Sequence, residues 1–246
     1  MPTGTTSSIS RRALITGASS GIGKATAQVF AQAGFDVALV ARSAEKLAAL
    51  ASELESECGV TAIAFPIDLA NVATLKQKIA DLQASFGPFD VLINSAGMGY
   101  TGHIADMSLT DWQQVMTLNV TSVFQMIQAV LPTMRKQASG TIVNIASIAA
   151  QQAFEGWGAY GASKAALVAL SDALRVEEAA NGIRVVTLLP GAVDTSIWDT
   201  ETVQADFDRS AMLDAQTVAQ TILHTAMLPP NAVISNLTLT PAGGAM

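Results

Sequence analysis

The segment that most constrains the fold of this chain lies near its beginning. An apolar run at residues 13–15 precedes the glycine-rich sequence TGASSGIG at residues 16–23, and helix-like apolar periodicity follows over residues 24–31. Glycines at this spacing permit a tight turn and let the backbone approach a pyrophosphate, which would rest on amide N–H groups at the helix N-terminus. The Gly-x-x-x-Gly-x-Gly spacing differs from the general Gly-x-Gly-x-x-Gly fingerprint, but the required strand and helix flank it. The segment therefore predicts a nucleotide-binding turn in a βαβ unit.

Strand-like and helix-like segments alternate along the rest of the chain. Predicted strands lie near residues 12–16, 36–41, 61–65, 90–93, 140–146, 183–189 and 232–238, and predicted helices cover 22–33, 44–57, 72–85, 111–136, 158–180 and 214–227. Such alternation gives right-handed crossovers and a parallel sheet with helices on both faces. The predicted fold class is therefore α/β, a single Rossmann-type doubly wound parallel sheet of about seven strands.

The chain divides into a short tail and one domain in this prediction. Residues 1–11 are rich in Thr and Ser and lack the apolar segment of a signal peptide, so we assign them to a flexible N-terminal tail. Residues 12–246 form a single domain because no repeat, low-complexity tract or linker interrupts them. We predict that the longest irregular stretch, about 191–213, is a lid, since long loops in compact domains are usually lids or binding loops. It contains Trp198 and the acids Asp199, Glu201, Asp206 and Asp208.

Tyr160 and Lys164 lie four residues apart in a predicted helix, thirteen residues after Ser147. Residues i and i+4 share one helix face, so the ammonium can lie beside the phenol and lower its pKa. Lowering a tyrosine pKa from ~10 to about 7 requires roughly 4 kcal/mol, which one close cation in a site shielded from water can supply. The arrangement predicts a general acid–base tyrosine, with a serine hydroxyl free to hold a carbonyl oxygen. Taken alone, the spacing could equally describe a surface tyrosine and a solvated lysine.

With these motifs the chain resembles the short-chain dehydrogenase/reductase superfamily, of the single-domain kind, from about Arg12 to about Leu239. The resemblance is carried by TGxxxGIG at residues 16–23, Asp68, NSAG at residues 94–97, Asn119, Ser147, Tyr160-x-x-x-Lys164 and Pro190-Gly191. Ser95 departs from the family pattern, which usually has a second asparagine there in a structural role. The resemblance implies direct hydride transfer between a nicotinamide cofactor and a carbonyl carbon.

The resemblance also implies the roles of four catalytic residues. Tyr160 protonates the developing alkoxide, and Ser147 donates a hydrogen bond to the same oxygen. Lys164 adjusts the pKa of Tyr160 and holds the nicotinamide ribose. Asn119 anchors a water that leads protons to Lys164, although a polar residue in a helix could also be incidental.

The residue that ends the second strand of such a fold, about 20 positions past the glycines, selects the cofactor. Here Arg42 offers a planar, always-charged fork suited to a 2′-phosphate, so we predict NADP(H) over NAD; a solvated surface arginine is the alternative. The resemblance places Asp68 on the adenine amino group, a role compatible with capping the next helix, and Thr195 on the nicotinamide carboxamide. The predicted cofactor-binding residues are Gly17, Ser19, Ser20, Gly21, Ile22, Gly23, Arg42, Ser43, Asp68, Leu69, Asn94, Ala96, Gly97, Tyr160, Lys164, Pro190, Gly191, Val193 and Thr195.

Substrate contacts are expected from the segments just after Ser147 and just before Tyr160, from the loop after the fourth strand and from the lid. The predicted pocket residues are Met98, Phe154, Trp157 and Trp198, with Tyr100, Gln151 and Gln152 as further candidates. These aromatic residues could equally belong to the core. No arginine stands out to bind a carboxylate, because Arg209 in the lid has acidic neighbours, so a highly anionic substrate is disfavoured.

Composition narrows the possible partners. The net charge of −7 argues against a nucleic acid or an anionic membrane, and no apolar run approaches the ~20 residues needed to span a bilayer. The one cysteine, Cys58, excludes an internal disulfide and suits a reducing compartment, which predicts a cytoplasmic location. The two histidines, His103 and His224, lack metal-ligand spacing, so we predict no metal.

The predicted helix 158–180 contains the sequence AALVAL at residues 165–170, which is apolar on all sides. Such a helix must be buried on more than one side. The sheet covers one face, so we predict a subunit interface on the other, with complete burial inside the monomer as the alternative. The resemblance likewise implies a homodimer or homotetramer formed through helices 111–136 and 158–180.

The leading functional prediction is an NADP-dependent oxidoreductase that interconverts a ketone or aldehyde with an alcohol. Within this class, activity like that of 3-oxoacyl-carrier-protein reductases is disfavoured by the short ending at residues 236–244, which is closer in character to the 3-hydroxy acid and serine dehydrogenase branch. The alternative of a different class is a non-catalytic NADP-binding sensor or scaffold on the same fold. The presence of all four catalytic residues weighs toward an enzyme.

Overall fold

A computed structural model describes residues 10–205 and 208–244 of the chain. The strands within them are β1 (Arg12–Thr16), β2 (Asp36–Ala41), β3 (Ala62–Pro66), β4 (Val91–Asn94), β5 (Gly140–Ile145), β6 (Ile183–Pro190) and β7 (Asn236–Leu239). The helices are α1 (Gly21–Gln32), α2 (Ala44–Cys58), α3 (Val72–Phe86), α4 (Leu109–Met116), α5 (Ser122–Gln137), α6 (Gly158–Glu178) and α7 (Ala215–Ala226). The predicted alternation of strands and helices is confirmed.

All seven strands belong to one parallel sheet with the order β3-β2-β1-β4-β5-β6-β7. The chain starts in the middle of the sheet, builds outward to β3, returns to β4 beside β1 and continues outward to β7. The connections from β1 and β4 therefore leave in opposite directions, which opens a crevice at the carboxyl ends of these two strands. Open α/β sheets bind their ligands at this point. The doubly wound Rossmann-type fold is confirmed.

The two faces of the sheet are covered by different helices. Successive side chains of a strand point to opposite faces, so Ala13 and Ile15 pack with apolar residues of α1, α2 and α7, whereas Leu14 packs with residues of α3, α5 and α6. Both faces of the sheet are therefore buried, which explains why the strands are almost continuously apolar and do not alternate between apolar and polar residues.

The last strand begins four residues later than the sequence predicted, at Asn236 rather than near residue 232. The guanidinium of Arg184 donates hydrogen bonds to the backbone carbonyls of Leu228 (2.7 Å) and Ala232 (3.3 Å). The N–H of Ala232 closes a turn onto the carbonyl of Pro229 (2.9 Å). Because the segment curls around one side chain, its residues cannot extend alongside β6 until Asn236.

The predicted helix 111–136 is longer and less regular than expected. It runs over Leu109–Gln137, but the segment Thr117–Thr121 between α4 and α5 is a turn of π-helix. By length and hydropathy alone this helix could cross a membrane, and it is the one helix in the described part of the chain that could do so. It packs against α3, β4 and β5, and a helix in the core of a globular protein meets the same criteria.

Two residues assigned to the N-terminal tail contact the domain. Arg11 places its guanidinium 4.4 Å from the centroid of the Phe35 ring, and the Ser10 hydroxyl donates to the carbonyl of Gly34 (3.4 Å). The remainder of the predicted tail, residues 1–9, and Asp206 of the predicted lid lie outside the described residues.

Candidate active site

The glycine-rich turn after β1 has the shape that close contact with a phosphate requires. Gly17 has a φ of +71°, which favours glycine, and a Cβ on Gly23 would lie 2.3 Å from the carbonyl oxygen of Gly17. The N-cap of α1, Ser20, makes no side-chain cap hydrogen bond, and the first turn of the helix contains no acidic residue. The first N–H groups of α1 therefore lack a side-chain cap, and the positive end of the helix favours an anion. The turn fits a dinucleotide pyrophosphate.

The side chain of Thr16 fixes the loop after β4 against this turn. Its Oγ1 accepts hydrogen bonds from the N–H groups of Ser95 (3.0 Å) and Ala96 (3.1 Å). A Cβ on Gly17 would lie 3.0 Å from the backbone of Ala96. Ser95, the departure from the family pattern, takes part through its backbone N–H, which any residue other than proline supplies.

Polar residues lie at the ends of β2 and β3, at the open edge of the crevice. Arg42 and Asp68 are exposed, and within the described residues the guanidinium of Arg42 has no hydrogen-bond or ion-pair partner. Ser43 caps α2 by accepting a hydrogen bond from the N–H of Lys46 (3.4 Å). Leu69 is buried in the core beneath Asp68. Arg42 is therefore a cation available to a ligand at this edge.

The capping role considered for Asp68 is wrong. Its Oδ1 accepts a hydrogen bond from the N–H of Ala70 (3.0 Å), whereas the N-cap of α3 is Asn71. The carboxylate shapes the loop after β3 and remains exposed, so a contact with a bound nucleotide stays a prediction.

Asn94 points into the sheet rather than into the crevice. Its Nδ2 donates to Oδ1 of Asn144 (2.8 Å), and Nδ2 of Asn144 donates to Oγ of Ser171 (2.8 Å). This buried chain of hydrogen bonds ties β4, β5 and α6 together at the switch point. The sequence reasoning missed Asn144 and Ser171, although an asparagine within the apolar strand TIVNI was an available signal. The Oδ1 of Asn94 has no hydrogen-bond partner among the described residues, and the cofactor contacts of Asn94, Ala96 and Gly97 stay predictions.

Ser147 and Tyr160 meet at the carboxyl end of β5. Oγ of Ser147 accepts a hydrogen bond from the N–H of Ala149 (3.1 Å) in the 3-10 turn Ile148–Ala150, and Ser147 also hydrogen-bonds the phenol of Tyr160. A serine hydroxyl that accepts from a backbone amide still has its hydrogen to donate. Gly161 allows the approach of α6, because a Cβ there would lie 2.9 Å from the carbonyl oxygen of Ala149. The two hydroxyl groups can hold one carbonyl oxygen between them.

Lys164 lies one helical turn beyond Tyr160 and is almost completely buried. Its Nζ donates to the carbonyl of Ile145 (2.8 Å) and lies 5.6 Å from the centroid of the Tyr160 ring. Burial lowers the pKa of Lys164 to about 8. Its carbonyl partner and its position next to Gly97 fix the ammonium at the boundary between the crevice and the catalytic hydroxyl groups.

The pKa of Tyr160 differs from the sequence expectation. Burial raises this pKa above its ordinary value, and the hydrogen bond with Ser147 opposes that rise without reversing it. The expected lowering by Lys164 is absent because the ammonium is directed at a backbone carbonyl, while desolvation penalises the phenolate. Tyr160 is consequently a protonated phenol at neutral pH.

Asn119 lies in the π turn and is completely buried. Its Oδ1 accepts from the N–H of Met98 (2.9 Å), and its Nδ2 donates to the carbonyl of Met98 (3.0 Å) and to Oγ of Ser163 (3.0 Å). The side chain therefore holds the loop after β4 next to α6. A π turn shifts backbone pairing by one residue, as is frequent at functional sites, so a water held at Asn119 would have to use the backbone of this turn rather than the side-chain amide.

A cavity connects the glycine-rich turn to the catalytic hydroxyl groups. Its lining includes thirteen of the residues predicted for the site: Ile22, Gly97, Met98, Ser147, Phe154, Trp157, Tyr160, Lys164, Pro190, Gly191, Val193, Thr195 and Trp198. A Cβ on Gly21 would lie 3.0 Å from Cγ2 of Thr195, so the start of the predicted lid touches the nucleotide-binding turn. All four predicted pocket residues are thus brought together with the catalytic groups.

The predicted lid is fastened to the loop after β4. The hydroxyl of Thr202 donates to the carbonyl of Gly99 (2.7 Å), and the N–H of Thr101 donates to the carbonyl of Thr202 (2.8 Å). The N–H of Gln204 donates to Oγ1 of Thr101 (2.7 Å), and a Cβ on Gly99 would lie 2.7 Å from Cγ2 of Val203. We call residues 99–101 and 202–204 the lid latch. The sequence reasoning missed it, and no local pattern marks it.

Arg209 is occupied within the lid. Its guanidinium donates to the carboxylates of Asp194 (2.6 Å) and Asp199 (2.8 Å) and to the carbonyl of Thr195 (3.1 Å). The prediction that acidic neighbours neutralise Arg209 agrees with this arrangement. The guanidinium connects the beginning and the end of the lid and is not directed at a substrate.

Three further candidates lie outside the cavity. Gln151 and Gln152 are exposed, and the phenol of Tyr100 donates to Oδ2 of Asp111 (3.2 Å). Their prediction as substrate contacts was wrong because the turn after Ser147 and the loop after β4 direct these side chains outward. Ile148 and Ile197 line the cavity and were missed. In residues 10–205 and 208–244, no group of three or more His, Cys, Asp or Glu side chains could hold a metal ion.

A glycine-rich turn at the switch point of the sheet, next to a cavity lined by Ser147, Tyr160 and Lys164, is the arrangement of a Rossmann-type oxidoreductase. The model of the short chain dehydrogenase family matches residues 11–206. An uncharacterised oxidoreductase of Staphylococcus epidermidis is 31% identical over 229 residues, which are 93% of this chain and 96% of that protein. The chain belongs to the short-chain dehydrogenase/reductase family.

Solved structures agree in fold. The alcohol dehydrogenase of the archaeon Thermococcus sibiricus, complexed with 5-hydroxy-NADP, matches with a TM-score of 0.88 and 26% identity, over 96% of this chain and 98% of that one. L-sorbose reductase of Gluconobacter frateurii, complexed with NADPH and L-sorbose, matches with a TM-score of 0.86 and 27% identity, over 94% and 95%. Both are similar along nearly their whole length.

Proposed function

We propose that this protein is an NADP(H)-dependent oxidoreductase that reduces a ketone or aldehyde to an alcohol and catalyses the reverse oxidation. The observation that carries the proposal is the convergence of Ser147, Tyr160 and Lys164 in one cavity with the nucleotide-binding turn. The exposed cation Arg42 at the end of β2 supports NADP(H) over NAD(H). The NADP-type ligands of the two similar solved structures support the same choice.

The residues along the crevice match successive parts of the cofactor. The turn Gly17–Gly23 and the start of α1 would hold the pyrophosphate, Arg42 the 2′-phosphate, and Lys164 with Thr195 the nicotinamide end. When bound, NADPH supplies the hydride that adds to the carbonyl carbon and is oxidised to NADP⁺.

Residues of this chain supply the proton that the reduction requires. Tyr160 donates its phenolic proton to the carbonyl oxygen, so that C=O becomes CH–OH, and Ser147 donates a hydrogen bond to the same oxygen. The raised pKa of Tyr160 keeps this proton in place at neutral pH, as reduction requires. The phenolate that remains regains a proton before the next reduction, and the ammonium of Lys164, 5.6 Å from the centroid of the Tyr160 ring, is the one cation in the cavity lining among the described residues.

The cavity favours a neutral carbonyl compound over a 3-hydroxy acid or a 3-oxoacid. Lys164 is the one charged side chain among the described residues that line the cavity, and it is held by the carbonyl of Ile145. Arg209 is engaged by two aspartates. A substrate carboxylate would therefore be buried without a cation of its own, which is costly.

The test is NADPH oxidation, followed by absorbance, with a panel of ketones, aldehydes and 3-oxo esters, repeated with NADH. We expect turnover of at least one neutral carbonyl compound, with a higher kcat/KM for NADPH than for NADH. Tight NADPH binding without any turnover would contradict catalysis and favour the sensor alternative.

We further propose a homodimer or homotetramer formed through α4, α5 and α6. These helices expose apolar side chains to solvent, namely Trp112, Phe124 and Val176, together with Ala162, Ala165, Ala169 and Ala173. Val176→Glu is expected to shift the protein toward monomers in analytical ultracentrifugation. Unchanged sedimentation of this variant, or a monomeric parent protein, would contradict the proposal. The predictions of a cytoplasmic location and of no nucleic-acid, membrane or metal partner remain predictions.

A further inference from the structure

The wall of the cavity next to the catalytic phenol is built from aromatic rings. The ring of Trp157 meets the ring of Tyr160 edge to face, with centroids 5.3 Å apart and an interplanar angle of 70°. The ring of Trp198, from the lid, meets Trp157 in the same manner at 5.7 Å and 69°. A group attached to the reacting carbonyl therefore lies among two indoles, with Phe154 and Met98 also in the lining.

The polar atom of the Trp198 ring is already used. Its Nε1–H donates to the carbonyl of Val193 (2.8 Å), at the beginning of the lid. This hydrogen bond fixes the orientation of the indole, which is part of the cavity lining. Aromatic rings held at such angles favour a further ring in edge-to-face or offset contact.

This aromatic wall offers a hydrophilic substrate few hydrogen-bond partners. Near the indoles the lining consists of apolar side chains, including Ile148, Val193 and Ile197. The hydroxyl groups of Ser147 and Tyr160 are committed to the reacting oxygen. The two glutamines that could have bound a polyhydroxylated substrate, Gln151 and Gln152, are exposed outside the cavity.

We infer that the physiological substrate class is a neutral ketone that carries an aromatic ring, and that Trp198 is the residue that selects for that ring. The assignment rests on the proposed carbonyl reduction at the same site. The reaction is unchanged: the carbonyl carbon gains a hydride, its oxygen gains the proton of Tyr160, and the cofactor is oxidised. The ring itself is not altered.

The first experiment compares matched ketones with the full-length protein and NADPH. Benzylacetone and its cyclohexyl analogue have the same reacting methyl ketone and differ only in the aromaticity of the ring. We expect kcat/KM to be about 2- to 10-fold higher for benzylacetone, the range that one aromatic contact provides. The para-carboxy derivative of benzylacetone is expected to be poorer by at least about 100-fold, because its charge would be buried unpaired. The kcat/KM for L-sorbose, a polyhydroxylated ketone, is expected to be lower than that for the cyclohexyl analogue.

The second experiment separates the ring of Trp198 from its hydrogen bond. Trp198→Phe removes the hydrogen bond to Val193 and keeps an aromatic ring, whereas Trp198→Leu removes both. The preference for benzylacetone over the cyclohexyl analogue is expected to persist in the phenylalanine variant and to fall to about 1 in the leucine variant. Trp112→Leu, on α4 and away from the cavity, is the matched control and is expected to keep the parent ratio.

The outcomes separate this inference from the proposed function. Turnover that favours L-sorbose or the carboxy derivative, or that does not distinguish the two rings, leaves carbonyl reduction standing and overturns the aromatic substrate class. Loss of the preference in both Trp198 variants overturns the selecting role of the ring. No turnover of any carbonyl compound overturns both proposals. If the leucine variant does not fold, as judged by circular dichroism, the ketone comparison on the parent protein still decides the substrate class.

Discussion

The carboxyl edge of the sheet has two halves that are built in different ways. The cofactor half, around the ends of β1, β2 and β3, consists of backbone turns and exposed polar residues such as Arg42 and Asp68. The substrate half, beyond β4 and β5, is an apolar cavity enclosed by segments far apart in sequence, with Trp157 against Trp198 and the lid latch across it. The first half depends on conformations that a few local residues determine, and the second depends on contacts that only the folded chain creates. Changes in the two halves should therefore have separable effects on binding of the cofactor and on reaction of the substrate.

The largest expected effect comes from Tyr160→Phe. Removal of the phenolic proton is expected to lower kcat by about 10³-fold, within the range of general acid catalysis, while the Kd for NADPH stays unchanged. Steady-state rates and a cofactor-fluorescence titration measure the two quantities. The only other tyrosine, Tyr100, bonds Asp111 outside the cavity, so Tyr100→Phe is the matched control. Equal activity of the two variants would end the assignment of Tyr160 as the acid.

Arg42→Asp examines the opposite half of the edge. Loss of a charge-assisted hydrogen bond to the 2′-phosphate, together with repulsion by the new carboxylate, is expected to weaken NADPH binding by about 10- to 100-fold. Binding of NADH, which lacks this phosphate, is expected to be unchanged or stronger. Isothermal titration with both cofactors provides the measurement. Lys78→Asp, an exposed charge reversal on α3, is the control for net charge. If Arg42→Asp keeps the preference for NADPH over NADH, the 2′-phosphate is bound elsewhere.

The buried ammonium at the junction of the two halves makes stability depend on pH. The pKa of Lys164 is lowered from 10.5 to about 8 in the folded protein, so the cost of burying its charge is fully present below about pH 8. As the pH rises from about 8 toward 10.5, the folded state loses this proton before the unfolded state does, and the cost is relieved. The free energy of unfolding of the cofactor-free protein is therefore expected to rise over this range relative to that of Lys164→Met. Urea titrations of both proteins measure this. If the difference in the free energy of unfolding between the parent protein and Lys164→Met is constant with pH, Lys164 is hydrated in solution.

The smallest expected effect comes from the lid latch. Thr202→Val removes the hydrogen bond to the carbonyl of Gly99, worth about 1 kcal/mol, and thereby weakens the attachment of the predicted lid to the loop after β4. We expect KM for the carbonyl substrate to rise up to about fivefold, with the Kd for NADPH little affected. Thr221→Val is the control, since Thr221 bonds only the carbonyl of Thr217 within α7. If the two variants have the same KM, the latch does not contribute to substrate binding.

Local patterns predicted much of the fold and of the cofactor half. The apolar strands, the glycines that permit the turn after β1 and the four-residue spacing of Tyr160 and Lys164 act over a few residues, so they can be recognised without knowing the rest of the chain. The start of β7 could not be recognised in this way, because Arg184 reaches across from β6 to curl the preceding segment. The burial of Asn94 against Asn144 could not be recognised from local sequence either, because it depends on two strands that become neighbours only in the sheet.

The sequence by itself determined which chemical groups this chain possesses and the order of the strands and helices that carry them, since both follow from residue type and short-range periodicity. The tertiary structure decided the pKa values of those groups and the shape of the substrate cavity. Desolvation raises the pKa of Tyr160 and lowers that of Lys164, and it depends on every atom packed around them. Likewise, the predicted lid is held against the loop after β4 because residues 99–101 and 202–204, about a hundred positions apart in the chain, become adjacent in space.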